Sequence, residues 1–158
     1  MKRSIVIALA LFIAAATGAA RADTVTDWNQ TAIEVMKVAK VGGNPWSRNL
    51  AMMHVAMSDA INSVQNRYTR YITTVPLAPS ASAEAAAAAR QILLQLFPAQ
   101  KTMIDDAYAS SLKAIPDGAA KTQGITVGEQ VAAAVQADRA SDGTSAPDTY
   151  RPITAPGV

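Results

Sequence analysis

An all-α fold is what this chain predicts, and three observations carry the prediction. Alanine, the strongest intrinsic helix former, supplies 26 of the 136 residues that follow Ala22, enough to set the character of several whole segments. Apolar residues recur at spacings of three and four, the period of one helix face rather than of a strand. Alternating β-branched runs are lacking, apart from the short stretch 71–75. The expected architecture is about five helices forming part of a helical bundle, preceded by a cleaved signal peptide.

The first helix is predicted to start at a Thr26 or Asp27 cap, to present Trp28, Ala32, Val35 and Ala39 on one face, and to stop at Gly42-Gly43. The second has Asn44 as its cap and Pro45 at the first helical position, where a missing N–H costs nothing. Its apolar residues Trp46, Leu50, Met53, Met57, Ile61 and Val64 are spaced four, three, four, four and three, which predicts a core-facing stripe. A loop over 66–79 follows, carrying Tyr68, Tyr71 and two prolines. Ser80 or Ser82 then caps a third helix, which runs through an alanine block to Leu96-Phe97 and stops at Pro98. A fourth covers about 99–114 with Met103, Ala107 and Leu112 inward. Pro116-Asp117-Gly118 separates it from a fifth, about 119–141, which ends at Asp142-Gly143. The helical domain is therefore placed at 23–143. Residues 144–158 read as Pro- and Gly-punctuated coil, with no closing element at Pro156-Gly157-Val158.

Residues 1–22 have the form of a signal peptide. Lys2 and Arg3 give a positive start, 5–16 is apolar, and Ala20-Arg21-Ala22 is an A-x-A cleavage site. Thr17-Gly18 and Arg21 cut the apolar run short of the roughly 20 residues that span a bilayer. Cleavage before Asp23 and export to the periplasm or medium are expected. Losing Lys2, Arg3 and Arg21 lowers the basic count from 14 to 11 against 12 acidic residues, a net charge of −1. The alkaline pI thus resides in the leader, and the mature chain has no basic stripe for nucleic acid and no polybasic patch for a membrane surface. Cysteine is absent, which excludes thiol catalysis, thiolate zinc sites and iron–sulfur clusters. A domain of this size can bury about two thirds of its unfolded surface and so be held by its apolar core alone.

Several side chains invite a chemical reading. His54, the only histidine, has Ser58 four and Asp59 five positions on. At 100° per residue, however, Asp59 lies about 140° around the helix from His54, so the three do not form a nucleophilic triad. A structural histidine at a helix–helix contact is the favoured reading. Metal chemistry lacks ligands: one histidine and no cysteine leave only scattered carboxylates, of which Asp138, Asp142 and Asp148 make a mildly acidic end. Asp105 and Asp106 are adjacent, yet neighbours on a helix diverge by 100° and do not share a proton. Asp105 instead sits four residues after Lys101, a surface-pair spacing. Gly124-x3-Gly128 is read as a place where a second helix approaches closely, since the export signal argues against membrane dimerisation. Arg67, Tyr68, Arg70 and Tyr71 could hold an anion. The favoured reading there is a loop whose tyrosines anchor on the bundle.

The chain also resembles bacterial vanadium-dependent haloperoxidases of the type 2 phosphatidic acid phosphatase superfamily. The resemblance rests on the stretch from Val41-Gly42-Gly43-Asn44-Pro45-Trp46 through His54 to Asn62. It extends to Gln91-Ile92-Leu93-Leu94-Gln95-Leu96-Phe97-Pro98, to Ala137-Asp138-Arg139-Ala140-Ser141-Asp142-Gly143, and to Tyr150-Arg151-Pro152 with Pro156-Gly157. In that family these segments form the leading helical third. The resemblance implies a vanadate or phosphate site built from a lysine-to-Arg-Pro motif, a Pro-Ser-Gly-His motif and an Arg-to-His motif, all in the later part. Here Arg151-Pro152 has Thr144 where the lysine would stand, and Pro79-Ser80-Ala81-Ser82 only begins like the second motif. The family needs two histidines for its chemistry, and His54 matches neither motif. No catalytic, cofactor-binding or metal-binding residue is therefore assigned in this chain. The implied function is a scaffold segment of an exported haloperoxidase- or acid-phosphatase-like protein, an incomplete member without activity of its own. Vanadate is implied only for the complete family member, and the expected partners are the later catalytic part and a second copy in a homo-oligomer. The alternative is a complete small periplasmic helical protein acting as a binding or interaction module.

Overall fold

The structure is a computed structural model that describes residues 23–72, 80–147 and 149. It is all-α: α1 (Thr24–Val38), α2 (Pro45–Gln65), α3 (Ala81–Leu96), α4 (Lys101–Lys113) and α5 (Ala119–Asp138), with a 3-10 turn at Pro98–Gln100 before α4. The signal-peptide reading of 1–22, the coil at 150–158, and the positions of Pro79 and Asp148 lie outside the described residues.

Helix α1 starts earlier than expected. Asp23, not Thr26 or Asp27, is the cap, and its Oδ1 accepts the Thr26 N–H at 2.8 Å. An aspartate three residues before a free N–H outcompetes a threonine already inside the first turn. The helix also stops earlier, at Val38, and Gly42-Gly43 plays no part in the stop. Lys40 takes the left-handed conformation at φ 53°. Its N–H donates to the Lys37 carbonyl at 3.0 Å, and the Val41 N–H donates to Met36 at 3.0 Å. This is a Schellman ending, in which the apolar residue after the left-handed one packs on the core. Val41 does so, and that contact sets the stopping point. Gly43, at φ 58°, serves instead to launch α2.

Pro45 occupies the first position of α2 as predicted, but the Asn44 side chain makes no cap bond. The Trp46 indole N–H donates to the Val41 carbonyl at 2.6 Å and ties the start of α2 to the end of α1. Met53 and Met57 are buried, whereas Trp46, Leu50, Ile61 and Val64 lie at the flanks of the packed face. The centre of that face runs through Met52, Ala56, Ala60 and Ser63. Small residues occupy the closest approach because α2 packs against the alanine-rich α3.

Helix α3 is central and meets all four other helices. Every residue from Ala83 to Ala89 is buried, as befits a helix apolar on all sides. Ser80 stands at the N-cap position, but its side chain makes no cap bond. On α4 the buried residue is Ile104 rather than Met103, Ala107 or Leu112, which are only partly covered. Gly124 and Gly128 of α5 lie directly on α3, where a Cβ at 128 would come within 2.3 Å of the Glu84 carbonyl oxygen. The predicted close approach is thus present. Helix α5 ends at Asp138, short of Ser141, and Asp142 beyond it bonds Arg48 and Thr144. The large core residues are Trp28, Met36, Met53, Met57, Ile92, Leu93 and Ile104. Among the described residues no helix is long and apolar enough to cross a membrane.

Candidate functional site

The polar residues of α2 point in two directions, and this divides the chemistry. His54 faces α1, where its Nε2 lies 3.0 Å from Asn29 Oδ1. With the Asn29 amide oxygen as acceptor, Nε2–H is the donor of this bond. Ser58, one turn on, shares with His54 a groove of about 360 Å³ walled by Val25, Met57, Ile61 and Tyr68. The groove lining carries no carboxylate and no lysine or arginine. Asp59 faces elsewhere: its two carboxylate oxygens accept the N–H groups of Tyr71 and Ile72 at 2.8 and 2.9 Å. The structure therefore brings His54 and Ser58 together and separates Asp59 from both. His54 is a polar contact between two helices.

Asn62 completes the clamp that Asp59 begins. Its Oδ1 accepts from the Arg67 and Tyr68 N–H groups at 2.9 Å each, and its Nδ2 donates to the Tyr68 carbonyl. Backbone groups, not side chains, thus anchor the stretch 67–72. The tyrosines are not buried anchors, with Tyr68 and Tyr71 76% and 63% exposed. Tyr71 nevertheless accepts a hydrogen bond from Arg139 Nη2 at 2.6 Å, with the guanidinium stacked 5.6 Å from the ring centre.

Asp105, Asp142 and Asp138 are committed to structural partners. Asp105 accepts from Arg90 at 2.8 Å and from Lys101, and both hold its carboxyl below the usual range, Lys101 most strongly. Asp106 points to solvent. Asp142 pairs with Arg48 at 2.8 Å, and that hydrogen bond followed by the Thr144 hydroxyl holds its carboxyl well below the usual range. Asp138 lies 3.3 Å from Arg139. Among the described residues no three histidine or carboxylate side chains gather as a metal site would require. A larger hollow of about 630 Å³ lies where α1, α3 and α4 meet, lined by Asp27, Trp28, Ser82, Ser110 and Ser111.

One residue that sequence reasoning missed is Glu84. It is fully buried in the alanine run of α3. Ser63 Oγ donates to its Oε2 at 2.8 Å, and Oε1 finds no partner among the described residues. Burial pushes its carboxyl up to about 7, against the opposing pull of the Ser63 hydrogen bond and the Arg70 charge. A signal was present in the sequence: a lone carboxylate amid alanines on a helix with no polar face. No family model, curated protein or solved structure matches the chain.

Proposed function

We propose that the bundle is a scaffold segment of an exported haloperoxidase- or acid-phosphatase-like protein and carries out no turnover of its own. The affiliation is supported by the order of the segments around Asn44–Asn62, Gln91–Pro98 and Ala137–Gly143. The observation that carries the scaffold reading is the dispersal of every reactive side chain. His54 is engaged with Asn29, Asp59 with loop amides, Asp105 with Arg90 and Lys101, and Asp142 with Arg48. An oxoanion such as vanadate needs converging cations and a histidine ligand. The groove beside His54 has no cation in its lining, and Arg48, Arg90 and Arg139 are paired with carboxylates. Neither the groove nor these paired arginines supply the converging cations that vanadate needs. In the complete protein the later motifs would bind vanadate or phosphate, for halide oxidation by peroxide or phosphomonoester hydrolysis. These helices would then wall the pocket, with the later part or a second copy as partner.

The test is an assay of the purified chain with orthovanadate, peroxide and bromide, and separately with a phosphomonoester. Neither is expected to turn over. Turnover that disappears in His54→Ala would overturn the reading. A reading frame that runs past codon 158 into the three oxoanion motifs would establish the affiliation, and a stop codon there would remove it. The second reading, a binding module, is favoured by the uncharged groove beneath the exposed Tyr68. A self-sufficient module is monodisperse and melts cooperatively. A scaffold deprived of its partner binds a hydrophobic dye and associates.

A further inference from the structure

Glu84 is unlike the other acidic residues in that it is fully buried and no salt bridge to it is found among the described residues. Its side chain is fully enclosed, and the single hydrogen bond it receives comes from Ser63 of α2. The elements packed around it add little charge. From α2 the nearest carboxylate along the helix is Asp59, one turn before Ser63, and it is engaged with the Tyr71 and Ile72 amides. The inward residues of α5 at this level are Gly124, Val127, Gly128 and Val131. Those of α1 are Trp28, Ala32 and Val35, and that of α4 is Ile104. On α3 itself the next charge is Arg90, tied to Asp105. The positive charge felt at Glu84 is that of Arg70, on the loop clamped by Asp59 and Asn62.

An ionised carboxylate in such a place requires water or a cation to come to it. The side chain is fully enclosed, and no described polar group lies beside its Oε1. The α5 backbone at Gly128 is so close that a Cβ would sit 2.3 Å from the Glu84 carbonyl oxygen and 2.9 Å from Ala87 Cβ. Because the carboxyl itself is enclosed and held against Ser63 of α2, admitting water to it requires the packed helices around it to part. We propose that Glu84, Ser63 and the Arg70 loop form a proton-operated latch: the protonated carboxyl seals the α2–α3–α5 crossing, and its ionisation opens it. The elevated proton affinity of Glu84 places this transition near neutral pH. What opens is the seam between the central helix and the two helices that grip it, together with the loop that carries Tyr68 over the groove.

The experiment uses the full chain and two readouts. The Glu84 carboxyl carbon is followed by NMR from pH 4 to 9, and backbone hydrogen exchange, corrected for intrinsic rates, is compared at pH 5.5 and 8.5. The expected midpoint is above pH 6, with protection in α3 and α5 lower at pH 8.5 by about tenfold or more. Glu84→Gln, which mimics the protonated acid, should abolish that loss, and Ser63→Ala should raise the midpoint by removing a bond that favours the anion. A wild-type midpoint near the ordinary glutamate value overturns the latch, and so does an undiminished loss of protection in Glu84→Gln. Because the midpoint is read on the unmodified chain, a variant that fails to fold leaves the decision intact.

Discussion

Lys40 holds a conformation that glycine adopts without penalty, and it does so at an exposed position. Because the Schellman hydrogen bonds use only backbone atoms, Lys40→Gly keeps them and removes the steric cost of a Cβ at positive φ. A gain of about 0.5–1 kcal/mol in a urea titration is expected, reduced by the greater freedom of glycine in the unfolded chain. Asp59 poses the opposite case. Its carboxylate satisfies two loop N–H groups at once, so Asp59→Ala leaves both without a partner. The loss should be about 1–3 kcal/mol, and chymotrypsin should cut after Tyr68 and Tyr71 faster than in the wild type. Unchanged cleavage would show that Asn62 alone holds the loop.

Between elements, the α3–α5 crossing is the tightest contact described and depends on two glycines one helical turn apart. At 128 an added methyl meets backbone, which cannot swing away. At 124 it meets Ala83 Cβ and Ser80 O at 3.0 Å each, close to the start of α3, where the chain can yield. Gly128→Ala should therefore cost about 2–3 kcal/mol despite the better helix propensity of alanine. Gly124→Ala should cost at least about 1 kcal/mol less. Equal effects in parallel thermal melts would mean that the crossing is looser than its geometry indicates. The Gln136 side chain, which donates to the Gln91 carbonyl at 3.1 Å, supports the same crossing from its other end.

For the whole molecule, the titrating groups act against one another with pH. Glu84 has a folded-state value raised from 4.5 to about 7, so its protonated form favours folding, and that contribution is lost as pH rises through this interval. Asp23, Asp105, Asp117 and Asp142 have lowered values, so their contributions are present above about pH 4 and lost as pH falls below it. The melting temperature should accordingly be highest near pH 4–5 and decline on both sides, in contrast to the usual optimum nearer neutrality. Glu84→Gln should remove the decline on the alkaline side only. Raising the salt concentration should blunt the acid side, where the pairs are exposed, more than the alkaline side.

The helical class, the number of helices and the boundaries at Pro45, Pro98 and Gly118 were legible in the sequence, because propensity, capping and proline geometry act within a few residues along the chain. So was the role of Gly124 and Gly128, whose spacing alone brings two small residues onto one face. The sequence also sufficed to separate His54 from Asp59, since helical geometry sets that angle. Tertiary structure decided the rest. Val41 finding the core ended α1 ahead of its glycines, and the small face of α2 turned Trp46 and Leu50 to the flank. The loop is held chiefly by Asp59 and Asn62, with Tyr71 adding a contact to Arg139 rather than a buried anchor. Above all, a lone glutamate in an alanine run marks a candidate but does not show what surrounds it. Only the approach of α2 and α5 from distant parts of the chain removes water from Glu84 and changes what that carboxyl does.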